Sequence, residues 1–169
     1  MKQMRIFQLL GMALVSSFLL TSVNAMAPQK VDFSGEWILN ESESELGEGR
    51  FRLSPEMNVK QEGNTIMIER SFTTRNGETR TRNETLTMDG KENISEGENR
   101  SSTTTVNWSD DANSLTLKSD LVMSRQGETF EAKTNETWTL NENGKVLTIK
   151  SSTSSSRGER SVTLVYDKK

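Results

Sequence analysis

The chain has no cysteine and no histidine in its 169 residues. Without cysteine no disulfide can staple the fold, so a packed core must hold it together. The same absence excludes thiol nucleophiles, thiolate metal sites and a lipid-modified cysteine. Without histidine, Ser-His-Asp and Cys-His catalysis, histidine-ligated zinc and ordinary haem ligation are excluded as well. Proline is scarce, with two residues, and aromatics make up only 6% of the chain. Net charge is −3, and the charges are interleaved with no basic stripe, so nucleic acid is not an expected partner. After the first residues no apolar run is long enough to span a membrane.

What is present begins with a three-part leader. Lys2 and Arg5 precede an apolar run from Ile6 to Leu20, broken by Gln8, Gly11 and Ser16, and Val23-Asn24-Ala25 supplies small residues at −3 and −1. This is the order of a cleavable secretory signal, and its core is too short and interrupted for a spanning helix. Cleavage is expected after Ala25, because a cut after Ala27 would place Pro28 at +1. The expected organisation is a signal over 1–25, a short lead over 26–32 and one domain over 33–169. A cysteine-free exported chain suits a bacterial periplasmic or secreted protein. The Asn-x-Ser/Thr triplets, such as those at Asn83 and Asn93, follow from composition and imply no glycosylation.

The rest is punctuated by turn signals, among them Asn76-Gly77, Asp89-Gly90, Gln126-Gly127, Asn143-Gly144 and Arg157-Gly158. Asn-Gly and Asp-Gly supply the positive φ that tight hairpins require. Between the turns lie alternating runs rich in Thr, Val, Ile and Trp. Ten strands are predicted: 33–40, 57–62, 65–75, 78–88, 91–95, 100–109, 114–125, 128–140, 145–156 and 159–168. Residues 41–56 form the one long gap, either a loop or a short helix around Glu43–Leu46.

Apolar residues gather at one end of each hairpin. Across Asn76-Gly77, Ile66, Ile68, Leu86 and Met88 lie far from the tip, while Thr73, Arg75, Thr79, Arg80 and Arg82 lie near it. Across Arg157-Gly158, Leu147, Ile149, Val162, Leu164 and Tyr166 are distal to a Ser/Thr/Arg tip. In a meander alternate turns share an end. The predicted fold is therefore all-β, a single antiparallel up-and-down barrel of 8–10 strands with a closed apolar end and an open polar end. An outer-membrane barrel is excluded, because the outward parity carries Glu69, Lys118, Asp120, Glu131 and Lys133.

Gly35-x-Trp37 on the first strand, the opening Phe33-Ser-Gly-Glu-Trp37-Ile-Leu-Asn40 and the ending Val162-Thr-Leu-Val-Tyr166-Asp-Lys168 resemble the calycins, the superfamily of lipocalins and fatty-acid-binding proteins. The stretch Asp32 to Leu46 also looks like the start of lipocalin-like proteins of bacteria, Bacteroidetes among them. The resemblance implies a lipocalin-like barrel that binds a small molecule, with Trp37 at the closed end. In fatty-acid-binding proteins an Arg stands two residues before the last-strand Tyr. Here that position is Leu164, so the fatty-acid carboxylate grip is not implied. Glycine and proline in 41–56 argue against a two-helix lid. Lipocalins also place an Arg over the motif Trp, and no arginine of this chain is assigned to that position.

Alternation sorts the candidate residues. Gly35, Trp37, Trp108, Trp138, Leu164 and Tyr166 are expected in the closed-end core, with Trp108 or Trp138 alternatively forming a pocket floor. Arg70, Arg80, Arg82, Glu84, Phe130, Glu136 and Arg160 are the candidate ligand-binding residues on the inner face. Charges there need pairing or water. They form either a wet polar interior or a cluster for a polar or anionic ligand, with arginines as fork-shaped donors. No catalytic residue, metal site or cofactor is expected. The first reading is an exported, monomeric, non-enzymatic binding barrel for a small polar or amphipathic ligand held near the open end. The alternatives are an envelope interaction protein with a filled barrel and, third, a weak enzyme using Glu84 and Glu136 as a carboxylate pair.

Overall fold

The computed structural model describes residues 28–47, 53–74, 76–125 and 127–169, so the expected signal over 1–25 lies outside the described residues. The strands are β1 (Gly35–Leu39), β2 (Glu56–Glu62), β3 (Thr65–Thr73), β4 (Thr79–Thr87), β5 (Glu92–Gly97), β6 (Arg100–Trp108), β7 (Ser114–Arg125), β8 (Glu128–Leu140), β9 (Val146–Ser155) and β10 (Gly158–Lys168). Each lies within two residues of its predicted bounds. They form one antiparallel sheet in the order β4-β3-β2-β1-β10-β9-β8-β7-β6-β5. Pairing of β1 with β10, Leu39 opposite Tyr166, curls the meander into a nearly closed barrel. The one break is between β4 and β5, which share no ladder.

Hairpin geometry follows from the turn residues. Gly77 and Gly90 take φ of 80° and 76°, conformations that L side chains rarely adopt. The 41–56 gap contains no helix among its described residues. Asn40 Oδ1 accepts from the Ser42 hydroxyl and the Glu43 N–H, which turns the chain at once. Glu45 then returns to pair with Thr163, with backbone bonds of 2.7 and 2.8 Å. Residues 41–47 thus turn back from β1 and resume pairing along β10.

The apolar core sits at the expected end. Phe33, Trp37, Met57, Val59, Ile66, Ile68, Val106, Leu115, Trp138, Leu147 and Tyr166 are buried together, and Trp108 and Leu164 pack against them. Phe33 stacks on Trp108 and meets Trp138 edge-on, with centroids 5.9 and 6.0 Å apart. The lead before β1 is tied to this end: Val31 N–H donates to Ala112 C=O, and Gln61 brackets the strand entry through Phe33 N–H and Val31 C=O.

Gly35-x-Trp37 has a local explanation. Gly35 takes φ 150°, and a Cβ there would come within 2.5 Å of Lys168 Cε. The space lets Lys168 lie across the Trp37 ring, its Nζ 5.2 Å from the centroid. The cation over the motif tryptophan is therefore a lysine from the last strand. Trp37 Nε1 donates to Phe33 C=O at 3.0 Å, so the buried indole is satisfied.

Candidate binding site in the polar half of the barrel

Strand register places the predicted inner residues on one face. Ile66, Ile68, Arg70 and Phe72 of β3 lie opposite Leu86, Glu84, Arg82 and Arg80 of β4. Glu136 on β8 lies between Leu117 and Ser151, and Arg160 on β10 lies opposite Thr153. Above the apolar core the lining becomes polar, with Thr104 bonded to Ser119 at 2.9 Å and Thr134 to Thr153 at 3.1 Å.

The boundary between the two halves is an ion-pair strut. Arg70 Nη1 donates to Glu84 Oε2 at 3.0 Å, and its Nη2 donates to Glu136 Oε2 at 2.9 Å. Since β3 and β8 stand far apart in the sheet order, the second bond crosses the lumen. Glu136 Oε2 also accepts from Trp138 Nε1 at 3.0 Å, and the Arg70 guanidinium lies 5.5 Å from the Trp138 ring centroid. Trp138 is thus both the top of the apolar plug and the floor of the polar half.

Glu84 resolves a second problem. Arg70 and Arg82 are directly opposed across β3 and β4, an unfavourable like-charge pair on its own. Glu84 Oε1 takes Arg82 Nη2 at 2.5 Å while its other oxygen takes Arg70. Burial opposes the charge on Arg70, but the Glu136 and Glu84 carboxylates outweigh it, and its pKa is raised. Burial pushes the Tyr166 phenol up to about 12; the Arg70 charge opposes this and Glu136 adds to it. Tyr166 Oη donates to Ser54 C=O at 3.1 Å.

The break between β4 and β5 opens the wall beside this strut. At its base Asn93 replaces the missing ladder: its Oδ1 accepts from Thr87 N–H at 2.8 Å, and its Nδ2 donates to Thr87 C=O at 3.3 Å and Thr104 C=O at 3.1 Å. Above this staple lies a cavity of about 360 Å³, lined by Arg82, Glu84, Ser95, Arg100, Ser102 and neighbouring residues. The other hollows are lined mainly by side chains of the outer parity.

The remaining candidates are nearer the rim. Arg80 is exposed and pairs with Glu78 at 3.5 Å, and the Arg157 guanidinium covers the Phe130 ring at 5.1 Å. Arg160 occupies the inner row with Thr153 and Thr134. The structure therefore gathers Arg70, Arg82, Glu84 and Glu136 and leaves Arg80, Phe130 and Arg160 apart from them. Sequence reasoning missed Asn93, Arg100 and Lys168. Arg100 was within reach of it, since extending the parity of Trp108, Val106 and Thr104 by four residues points it inward. Asn93 and Lys168 depend on which strands become neighbours.

A ten-stranded meander, closed through its first and last strands and filled at one end, defines a calycin-type barrel. No family model matches the chain, and no curated protein matches it in sequence. Among solved structures it is similar to zebrafish ileal bile acid-binding protein complexed with cholic acid. The identity is 16% and the TM-score 0.47, over 81% of this chain and 98% of that one. The barrel assignment rests on the strand order and register themselves.

Proposed function

We propose that the protein is an exported, monomeric, non-enzymatic binding protein whose small polar or amphipathic ligand occupies the polar half of the barrel. The observation that carries this reading is the strut of Arg70, Glu84 and Glu136, which ends the apolar plug partway up the lumen and leaves a polar cavity beside it. A barrel serving only as a scaffold has no need of charges across its lumen, because apolar side chains of similar volume fill such a space at no greater cost. Export is supported by the leader pattern of residues 1–25 and the absence of cysteine. A carboxylate enzyme is disfavoured, because Glu84 and Glu136 are both engaged by one guanidinium and Glu136 also by an indole.

The test is native mass spectrometry of the protein purified from its own envelope or medium. The expected result is a mature mass lacking residues 1–25 and a reproducible bound species released on unfolding. A clean unliganded mass, with no thermal shift across lipids and small acids, overturns the reading.

A further inference from the structure

We propose that the slit between β4 and β5 is an anion site, in which Arg82 and Arg100 take the carboxylate or phosphate group of a small hydroxylated molecule. This deepens the binding-protein reading and rests on it. Arg82 on β4 and Arg100 on β6, the strand next to β5, line the same cavity across the break. The local charges do not cancel: Arg70, Arg82 and Arg100 are set against Glu84 and Glu136, and both carboxylates are already engaged. Arg100 makes no ion pair among the described residues. Glu96 also lines the cavity but belongs to the outer parity, opposite Ser101.

Electrostatics point the same way. Burial lowers the Arg100 pKa and the like charge of Arg82 lowers it further, against a smaller opposing effect of Glu84. An anion between the two guanidinium groups relieves both, and paired arginines match carboxylate and phosphate oxygens with charge-assisted hydrogen bonds. Hydroxyl recognition is available beside them. Ser95 and Ser102 face each other across β5 and β6, while Thr104 and Asn93 are committed to Ser119 and Thr87. A volume of about 360 Å³ suits one compact molecule. Leu86 is the one apolar side chain of inner parity in the lining, which disfavours a long acyl chain.

Isothermal titration calorimetry at low salt tests the site with D-galacturonate, glucose 6-phosphate and inorganic phosphate, with D-galactose and laurate for comparison. The two sugar acids are expected to bind, galactose is not, and the affinity should fall steeply with added salt. Binding of inorganic phosphate as tight as glucose 6-phosphate would retain the anion site but overturn hydroxyl recognition. Arg100→Ala should weaken binding about tenfold or more with an unchanged melting temperature, and Arg100→Lys should recover part of it. Lys133→Ala, an equal charge loss on the outer face, should leave the affinity as it was. Equal affinity in Arg100→Ala, or no binding of any anion, overturns the slit site. If laurate binds equally well to the Arg100→Ala variant while the sugar acids do not bind, or envelope-purified protein carries a bound mass while the acids do not bind, the binding barrel stands and the anion site alone fails.

Discussion

The hairpin of β3 and β4 passes through both halves of the molecule, and its two ends are built on opposite principles. At the Glu62–Thr65 end, Ile66, Ile68, Leu86 and Met88 are buried and need only shape and volume to fit. At the Gly77 end, Thr79, Arg80 and Arg82 are exposed, and order comes from pairwise charge contacts. Burial of the first set removes apolar surface from water at roughly 25 cal/mol per Å², whereas exposed ion pairs contribute about 0–1 kcal/mol each. The comparison teaches that stability resides at one end of the barrel, and that the other end is free to carry chemistry at little cost to the fold.

The largest test of this division is Trp138→Ala. It should destabilise by about 3–5 kcal/mol in urea unfolding, whereas Thr153→Ala, higher in the same lumen, should change stability by less than about 1 kcal/mol. Glu136→Leu should cost about 2–3 kcal/mol, because Arg70 keeps a single carboxylate and the Trp138 indole loses its acceptor. Equal losses from Trp138→Ala and Thr153→Ala would break the division.

Alkaline pH gives a loss of similar size. The Tyr166 phenol, ordinarily 10.0, is raised to about 12 in the fold by burial, so the folded state holds its proton where the unfolded state releases it. Its contribution is complete below about pH 10 and is lost as pH rises to about 12, a fall of order 2–3 kcal/mol. Tyr166 is the chain's one tyrosine, so the ultraviolet phenolate titration reads it alone, and Tyr166→Phe should flatten the pH dependence.

Two smaller effects sharpen the picture. Asn93→Ala should cost about 1–2 kcal/mol and speed amide exchange at Thr87 first, since the slit loses its staple. Trp108→Phe should be nearly neutral. Among the described residues its indole N–H is a buried donor with no acceptor, so the loss of packing area is offset by removal of an unsatisfied group.

Much of the fold was legible because a half-buried strand writes its two faces into alternate residues. The parity of Ile66, Ile68, Arg70 and Phe72 stands in the register, as does the apolar gathering around Trp37, Trp108 and Trp138. Contacts between strands distant in sequence were not legible. Nothing near Arg70 in the chain points to Glu136 on β8, and nothing near Gly35 points to Lys168, until closure of the barrel brings their strands together. The slit was hidden for the same reason. Asp89-Gly90 reads as an ordinary hairpin turn, yet the strands it joins part company, and Asn93 bridges their base.

That parting gives the molecule an unusual order. The two edge strands of the sheet, β4 and β5, are consecutive in the chain, whereas β1 and β10 pair in mid-sheet. A polypeptide opened at the 88–91 connection and spliced from β10 to β1 would visit the strands in unbroken spatial succession, edge to edge. In topological terms the natural protein is a circular permutant of that simple ribbon. Its β1–β10 ladder is the long-range contact that must form last or be bridged early, so permutation at this connection should speed folding more than it changes the final stability.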